Sequence, residues 1–360
     1  MSASGGRERE DAIAGVLQGA ERRIALIEAC LPLNALAERE RVVAGWRAGQ
    51  ELVPRWLLPR RAELTDVRAA LAAVATAPPE DVFGQLYAAR AAELELEAAL
   101  VEARGTPLFR ALCARRYAIG AVELREQLDR ARRWIAETEH VAGHSEGPLA
   151  SSSVLAQALQ DRARELGLEA RVVERPELAS VAAVGEGVVF VGAGEHLLAA
   201  VQVPRVVCHE IEGHLAPRAA ALGEDRVLFR VGSTGAGEDE EGRALLLEER
   251  GGFLDPETLV GATRRRELAL RHEVAHAARA GADFVELMRL LLRHGEPVER
   301  AYRTCERALR GGGLGRELAY LPAYERVRRA FAEAPSLENW MRRGRVSLDA
   351  ARALEALERT

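Results

Sequence analysis

The sequence predicts an α+β protein that is mostly helical, with a small sheet beside one helix that carries a candidate metal site. Apolar residues recur three and four positions apart over most of the chain, which is the helical period. Between about residues 170 and 191, short valine-rich runs are instead typical of strands. A histidine pair, His209 and His214, follows these strands and marks the candidate site.

Composition is that of an ordinary globular protein. The chain has 360 residues, 48% hydrophobic and 29% charged, with a formal net charge of -5, so no general attraction to nucleic acid is expected. All 50 basic residues are arginine, which we attribute to a GC-rich bacterial genome. No stretch approaches the roughly 18 apolar residues of a membrane span. Four scattered cysteines and the absence of a signal-peptide core predict a cytoplasmic protein.

The first part of the chain is predicted to be helical after a disordered start. Residues 1–12 are small and charged, and we expect them to be disordered. Residues 13–145 form a predicted N-terminal helical region. Within it, Asp81 follows a proline-rich break and is expected to cap a helix that runs to about Arg104. Another helix is predicted over about 121–140.

The second region is predicted to span residues 146–360 and to contain the sheet. A stretch rich in Gly, Ser and Pro, 143–153, provides the boundary, and a serine at its end is expected to cap the next helix. Three short strands are predicted over 170–174, 179–183 and 187–191.

The remainder is predicted to be helical again. The helix with the two histidines begins after Pro204, and a glycine-rich loop follows Gly223. A helix is expected over about Glu240–Glu249, and helices dominate from Pro256 to the end.

The histidine pair has the pattern of a zinc hydrolase. His209 and His214 offer imidazoles to a metal, and Glu210 would be the general base that takes a proton from the attacking water. On an ideal helix, residues five apart diverge by about 140°. The two histidines can therefore share a metal only if the turn between them is widened, as in a π-bulge, and Gly213 is a plausible place for that distortion.

A third metal ligand is available downstream. The acidic run Asp239–Glu240–Glu241 opens a predicted helix, and one carboxylate from it would complete a site of two histidines and one glutamate, leaving a position for water. The alternative interpretation is that these acids only provide favourable charge at a helix N-terminus.

A second motif competes with the first. His272-Glu273-Val274-Ala275-His276 is a literal H-E-x-x-H on a predicted helix, with both histidines on one face. It lacks a third histidine downstream, and only the distant Glu296 could act as its acidic ligand. Its alternative interpretation is a helix with two histidines that lie at the surface or behind the ligands of a metal site.

The assembled motifs resemble the family that contains the microtubule-associated tyrosine carboxypeptidases, whose bacterial members are labelled as QEGLA-motif proteins that modulate flavohaemoglobin expression. The family pattern is similar to His209–His214, Leu228–Gly232 and Glu240–Ala244, followed by 307–321 and a terminal segment at 343–348. The resemblance covers the chain from roughly Leu96 to the end.

The resemblance implies a zincin-like metallopeptidase in the 146–360 region. Its metal ligands would be His209, His214 and Glu241, its cofactor Zn²⁺ and its base Glu210. The 272–276 motif falls where the family has an ordinary helix.

The chain departs from the family pattern at several positions. The residues before the second histidine are Glu212-Gly213, the leucine of the QEGLA motif is Arg243, and a Lys-Asp pair is replaced by Arg316-Glu317. The proposed ligands are unaffected by these changes, whereas substrate preference is placed in doubt.

The predicted function is that of a zinc-dependent carboxypeptidase acting on the C-terminal tail of a peptide or protein. Arg307, Arg310 and Tyr320 lie in the region similar to the family's later signature and are candidate substrate-binding residues, because guanidinium groups bind carboxylates and a tyrosine hydroxyl can stabilise an oxyanion. The alternative is that the arginines solvate a helix end and that Tyr320 packs in the core. The strand 188–191 is a candidate sheet edge for pairing with the peptide. The alternative is a non-catalytic regulatory or binding protein with a structural or vestigial metal site.

Overall fold

The computed structural model describes residues 3–77, 80–143, 147–175, 178, 180–185, 187–192 and 198–359, with side chains from Glu8 onward. In this part of the chain the fold is α+β and mostly helical, as the sequence predicted. The predicted boundary between residues 145 and 146 falls outside the described residues, so the division into two regions stays a prediction.

The N-terminal helical region is built from helices that pack on one another. Asp81 caps α5, because its side chain accepts a hydrogen bond of 2.7 Å from the backbone N–H of Gly84. The helices described before the sheet are α1 (Ala3–Ile24), α2 (Leu26–Ala29), α3 (Ala35–Arg47), α4 (Thr65–Thr76), α5 (Val82–Ala103), α6 (Pro107–Arg116) and α7 (Ala121–Glu137). Helix α5 is in contact with α1, α2, α4 and α6.

The start of the chain differs from the prediction. Helix α1 begins at Ala3, so the expectation of disorder over residues 1–12 is wrong from that residue on. Glu10 accepts a hydrogen bond from the hydroxyl of Tyr87 and lies 2.7 Å from the Arg226 guanidinium. These tertiary contacts compensate for a composition that contains few apolar residues before Ile13.

Residues 48–64 also differ from the helical prediction, since they form an irregular segment without helix or strand. Asn34 holds this segment at two points: its amide donates to the carbonyl of Arg55 at 2.9 Å, and its side-chain oxygen accepts from the N–H of Leu57 at 2.8 Å. Trp56 donates its indole N–H to the Tyr302 hydroxyl at 3.2 Å. Side-chain partners thus replace the backbone bonds that a helix would supply.

The sheet has three strands in the order β2-β4-β3, and a separate two-stranded pair joins β1 to β5. β4 pairs in parallel with β2 and antiparallel with β3, so it is the central strand. The expectation that 188–191 forms the sheet edge is therefore wrong, and β3 is an edge strand instead. The strands are β1 (Leu149–Ala150), β2 (Arg171–Arg175), β3 (Ala182–Val184), β4 (Val188–Gly192) and β5 (Leu198–Ala199).

Helix α8 (Ser152–Glu165) packs on the sheet and forms a small core with it. The side chain of Ser151 caps this helix, as the sequence predicted. Leu159 of α8 and Val189 of β4 are fully buried in the same cluster as Ile211 of the histidine helix. The sheet therefore fixes the position of that helix through apolar contacts.

The C-terminal helices form the larger core together with the N-terminal ones. α12 begins four residues before the expected Glu240, and α11 interrupts the predicted glycine-rich loop. These helices are α9 (Val203–Val207), a π-helix (Cys208–Leu215), α10 (Ala216–Ala220), α11 (Leu228–Val231), α12 (Ala236–Arg250), α13 (Leu259–Ala280), α14 (Phe284–Arg293), α15 (Val298–Ala308), α16 (Tyr320–Glu333), α17 (Ser336–Arg342) and α18 (Leu348–Glu358). None of the described helices is both long and apolar enough to cross a membrane.

Helices α12 and α16 cross at very short range because of one glycine. A Cβ atom added at Gly242 would lie 2.5 Å from the carbonyl carbon of Ala323 and 2.9 Å from the backbone nitrogen of Tyr324. Both are backbone atoms and cannot rotate away. Gly242 therefore sets the distance between the two helices, and α12 carries the acidic run next to this contact.

We predict that Gly242→Ala lowers the free energy of unfolding by about 1–3 kcal/mol, because the new methyl group overpacks the crossing. Gly237→Ala is the matched control, since it lies in the same helix with no atom within 4 Å of the added Cβ. Denaturant unfolding of both variants tests this. Equal stability of the two variants would show that the crossing is not tightly constrained.

Candidate metal centre

The two motif histidines meet at a point because their helix is widened. Residues Cys208–Leu215 form a π-helix, as the five-residue spacing predicted. His209 Nε2 and His214 Nε2 lie 3.2 Å apart. An α-helix would have directed the same side chains to different faces. Gly213 lies against α12, where an added Cβ would be 2.7 Å from the Cβ of Ala244.

Glu241 brings a carboxylate to the same point. Its Oε2 lies 3.4 Å from His209 Nε2 and 3.8 Å from His214 Nε2. For ligand bonds of about 2.0–2.1 Å, neighbouring ligand atoms around a tetrahedral zinc are about 3.3 Å apart. The three atoms match this spacing, so His209, His214 and Glu241 could hold a metal ion.

The outer nitrogen of each histidine faces a further carboxylate of α12. His214 Nδ1 and Glu240 Oε1 form a hydrogen bond of 2.8 Å. His209 Nδ1 lies 2.7 Å from Glu248 Oε1. Glu240 and Glu241 thus have different positions in the site, although the sequence offered them as alternatives.

The second oxygen of Glu241 is held from the opposite side. Its Oε1 accepts hydrogen bonds from Arg316 Nη2 at 3.0 Å and from the Tyr320 hydroxyl at 3.2 Å. The guanidinium of Arg271 lies over the Tyr320 ring, 4.8 Å from its centre. The ligand carboxylate is therefore oriented by two donors that also border the candidate site.

Burial and charge change the protonation behaviour of this cluster. Burial lowers the pKa of His209, but hydrogen bonds to Glu241 and Glu248 outweigh it and raise the pKa to about 9. Burial raises the pKa of Glu241, but its partners, first the hydrogen bond from His209, hold this pKa well below the usual range. Without a metal, a protonated histidine between ionised carboxylates is thus the stable arrangement.

A cleft of about 450 Å³ opens onto the three atoms. Glu210, the predicted base, lines this cleft beside the two histidines and is 8% exposed. The edge strand β3 and Phe190 form part of the opposite wall, and residues of α2 form another part. A molecule in the cleft would therefore have access to both the candidate metal site and Glu210.

All three candidate substrate-binding residues also line the cleft. Arg307 is paired with Glu317 at 3.0 Å, and Tyr320 contacts Glu241. Arg310 differs from them, because no carboxylate in the described part of the chain lies within ion-pair distance and its buried Nε has no hydrogen-bond partner. Its pKa is lowered, mainly by burial.

Sequence reasoning missed several residues of the site. Glu248 and Arg264 lie outside every motif, and Arg316 and Glu317 appeared only as departures from a family pattern. The seven-residue step from Glu241 to Glu248 is two helical turns, so the helical period was the one available signal for Glu248.

The competing motif on α13 forms no metal cluster in the described residues. His272 is 1% exposed, and neither ring nitrogen has a hydrogen-bond partner. Glu273 Oε2 lies 3.5 Å from His294 Nε2 instead. Glu296, its proposed distant ligand, pairs with Arg300 at 3.2 Å.

The burial of the His272 side chain predicts that the protein loses stability in acid. Burial, followed by the charge of His276, lowers its pKa from 6.5 to about 4. The unfolded chain therefore binds the proton more readily, so the stability is complete above about pH 6.5 and is lost as the pH falls toward 4. The free energy of unfolding of the wild type should decline between pH 7.5 and pH 4.5, and His272→Leu should make this decline smaller by about 2.5 kcal/mol.

Denaturant unfolding at both pH values measures this difference. The exposed His140 provides the control. The free energy of unfolding of His140→Leu should decline between the two pH values as much as that of the wild type. A His272→Leu protein that declines as steeply as this control would contradict the assignment.

Comparison with known proteins agrees with the family resemblance of the sequence motifs. No curated protein matches the chain. Residues 54–360 match the family described as microtubule-associated tyrosine carboxypeptidase. The matched residues include both histidines of the π-helix and Glu241. Since the match covers most of its length, the chain belongs to the microtubule-associated tyrosine carboxypeptidase family.

Proposed function

We propose that this protein is a zinc-dependent carboxypeptidase with a zincin-like catalytic region. The convergence of His209 Nε2, His214 Nε2 and Glu241 Oε2 at the end of an open cleft carries this proposal. Two imidazoles and a carboxylate are typical ligands of catalytic zinc. The peptidase character of the family supports the same reaction class.

Zinc bound there would act as a Lewis acid that polarises the scissile carbonyl and the attacking water. Glu210 is the general base: it accepts a proton from that water and passes it to the leaving amine. Its low exposure keeps bulk water away from its carboxylate. Arg316 holds Glu241 in place, and Tyr320 lines the cleft with its hydroxyl donated to the same carboxylate. On substrate binding the Tyr320 hydroxyl would turn from Glu241 to the negative charge that develops on the carbonyl oxygen.

The edge strand β3 is the proposed guide for the substrate backbone. β3 bonds to β4 on one side, and its residues Ala182–Val184 line the cleft. An extended peptide can pair with such an edge through backbone hydrogen bonds. This places the peptide along the cleft without requiring a particular side chain.

Arg310 is the proposed receptor for the terminal carboxylate. Most of the cleft arginines are neutralised by glutamates, as with Arg271 and Arg307 on Glu317 and Arg316 on Glu241. Arg310 has no such partner among the described residues, so its guanidinium is available to a substrate carboxylate. One free carboxylate at the end of a peptide matches one unpaired guanidinium.

We place the enzyme in the cytoplasm of a bacterium. All four cysteines are free, which agrees with a reducing compartment. The arginine-only basic composition supports the bacterial origin. Its substrate is then the C-terminal tail of a bacterial peptide or protein.

Glu210→Gln should retain one zinc per chain and lose at least about 100-fold in peptide cleavage, because an amide cannot accept the proton of water. His214→Ala should lose the zinc itself. Elemental analysis of the purified proteins and cleavage of a peptide library measure both effects. If His214→Ala has the same zinc content per chain as the wild type, His214 is not a zinc ligand. Zinc binding without any cleavage by the wild type would favour the non-catalytic alternative.

Arg310→Ala should reduce kcat/KM for peptides with a free C-terminus by about 10- to 100-fold, the value of a hydrogen-bonded charge pair. The loss follows from removing the group that binds the terminal carboxylate. Arg328 lies on α16 and is paired with Glu325. Arg328→Ala is the control and should cleave the same peptides with the kcat/KM of the wild type. Cleavage of C-terminally amidated peptides by the wild type at the same rate as free ones would contradict the role of Arg310.

A further inference from the structure

The carboxylates of Glu240 and Glu248 each lie against one of the two motif histidines. Each carboxylate lies beside Nδ1, the ring nitrogen that faces away from the metal position. Glu240 Oε1 forms a hydrogen bond of 2.8 Å with His214 Nδ1. Glu248 Oε1 lies 2.7 Å from His209 Nδ1 at ion-pair distance, although the present orientation of the ring does not align the two atoms as a hydrogen bond. A neutral imidazole that donates its Nδ1–H has its lone pair on Nε2. A bound metal ion would replace the second proton of the ring, and the two carboxylates beside Nδ1 then favour the tautomer in which both Nε2 atoms bind the metal.

Both carboxylates are themselves held in place by arginines. Glu248 is fully buried and forms a two-point contact with Arg264, at 2.7 and 2.8 Å. Glu240 accepts from Arg218 at 3.2 Å. Each histidine is thus the end of an Arg–Glu–His chain of contacts that restricts the rotation of its ring.

One helix supplies all three carboxylates. Glu240, Glu241 and Glu248 lie on α12, and the step of eight positions from the first to the last spans about 12 Å with a net rotation of about 80°. The π-helix packs along this length of α12. His214 therefore contacts Glu240, and His209 contacts Glu248 further along α12. Glu241 Oε2 lies against the Nε2 side of both rings.

We propose that Glu240 and Glu248 are positioning residues that hold His209 and His214 with both Nε2 atoms directed at one point before a metal binds. The inference rests on the proposed function only in that the two histidines are metal ligands. It assigns separate roles within the acidic run, with Glu241 at the metal and Glu240 behind a histidine. It also adds Glu248, which no motif contains.

The test compares zinc affinity in Glu240→Gln, Glu248→Gln and the full-length wild type, by competition with a chromophoric chelator. Each variant should bind zinc about 10- to 100-fold more weakly, which is typical when the partner of a ligating histidine is lost. The visible spectrum of the Co²⁺-loaded protein should also change, because the ligand rings are no longer fixed. A carboxylate that only stabilised the fold would change neither quantity.

Glu325→Gln is the matched control. Glu325 is buried and pairs with Arg328 and Arg329 on α16, so the substitution removes a similar charge without touching a histidine. Its zinc affinity should equal that of the wild type. Circular dichroism of the metal-free proteins shows whether each one is folded.

Wild-type zinc affinity in folded Glu240→Gln and Glu248→Gln would overturn the inference. It would also be overturned if both variants were unfolded without metal while Glu325→Gln was folded, since the carboxylates would then serve the fold. Absence of zinc binding in the wild type would instead refute the proposed function. The two failures are therefore distinguishable.

Discussion

The candidate site depends on the width of one helical segment. Five residues separate His209 from His214, and only the π-helix turns both rings to the same point, 3.2 Å apart. A π-helix is less favourable than an α-helix in isolation, so tertiary contacts must stabilise it. These contacts come from the sheet on one side, through Ile211, and from α12 on the other, through Gly213 and Ala244.

A second constraint is the neutralisation of buried charge. Unpaired ions in a protein interior are costly, and the site contains several carboxylates and guanidiniums with little exposure. They are arranged in alternation, so that Glu248 lies between His209 and Arg264 and Glu317 lies between Arg271 and Arg307. Because each of these carboxylates contacts two positively charged groups, removing one carboxylate would deprive both of its partners of a counter-charge.

Local patterns in the sequence predicted the parts of the protein that depend on neighbouring residues. The Asp81 cap, the Ser151 cap and the widening of the histidine helix all follow from spacing of a few residues. Long-range partners could not be found in this way. The irregular segment 48–64 and the contact of Glu248 with His209 depend on residues far away in the chain. The edge position of β3 depends on the pairing of β4 with β2 on its other side.

The π-helix also has a consequence for how the protein folds. Eight consecutive residues in this conformation cannot form early as an isolated helix, because nucleation already disfavours short α-helices and the wider turn adds to that cost. The segment can reach its final width only after α12 and the sheet are in place. We therefore expect the histidine pair to assemble late on the folding pathway, and a chain that has collapsed without it would have no place for a metal ion.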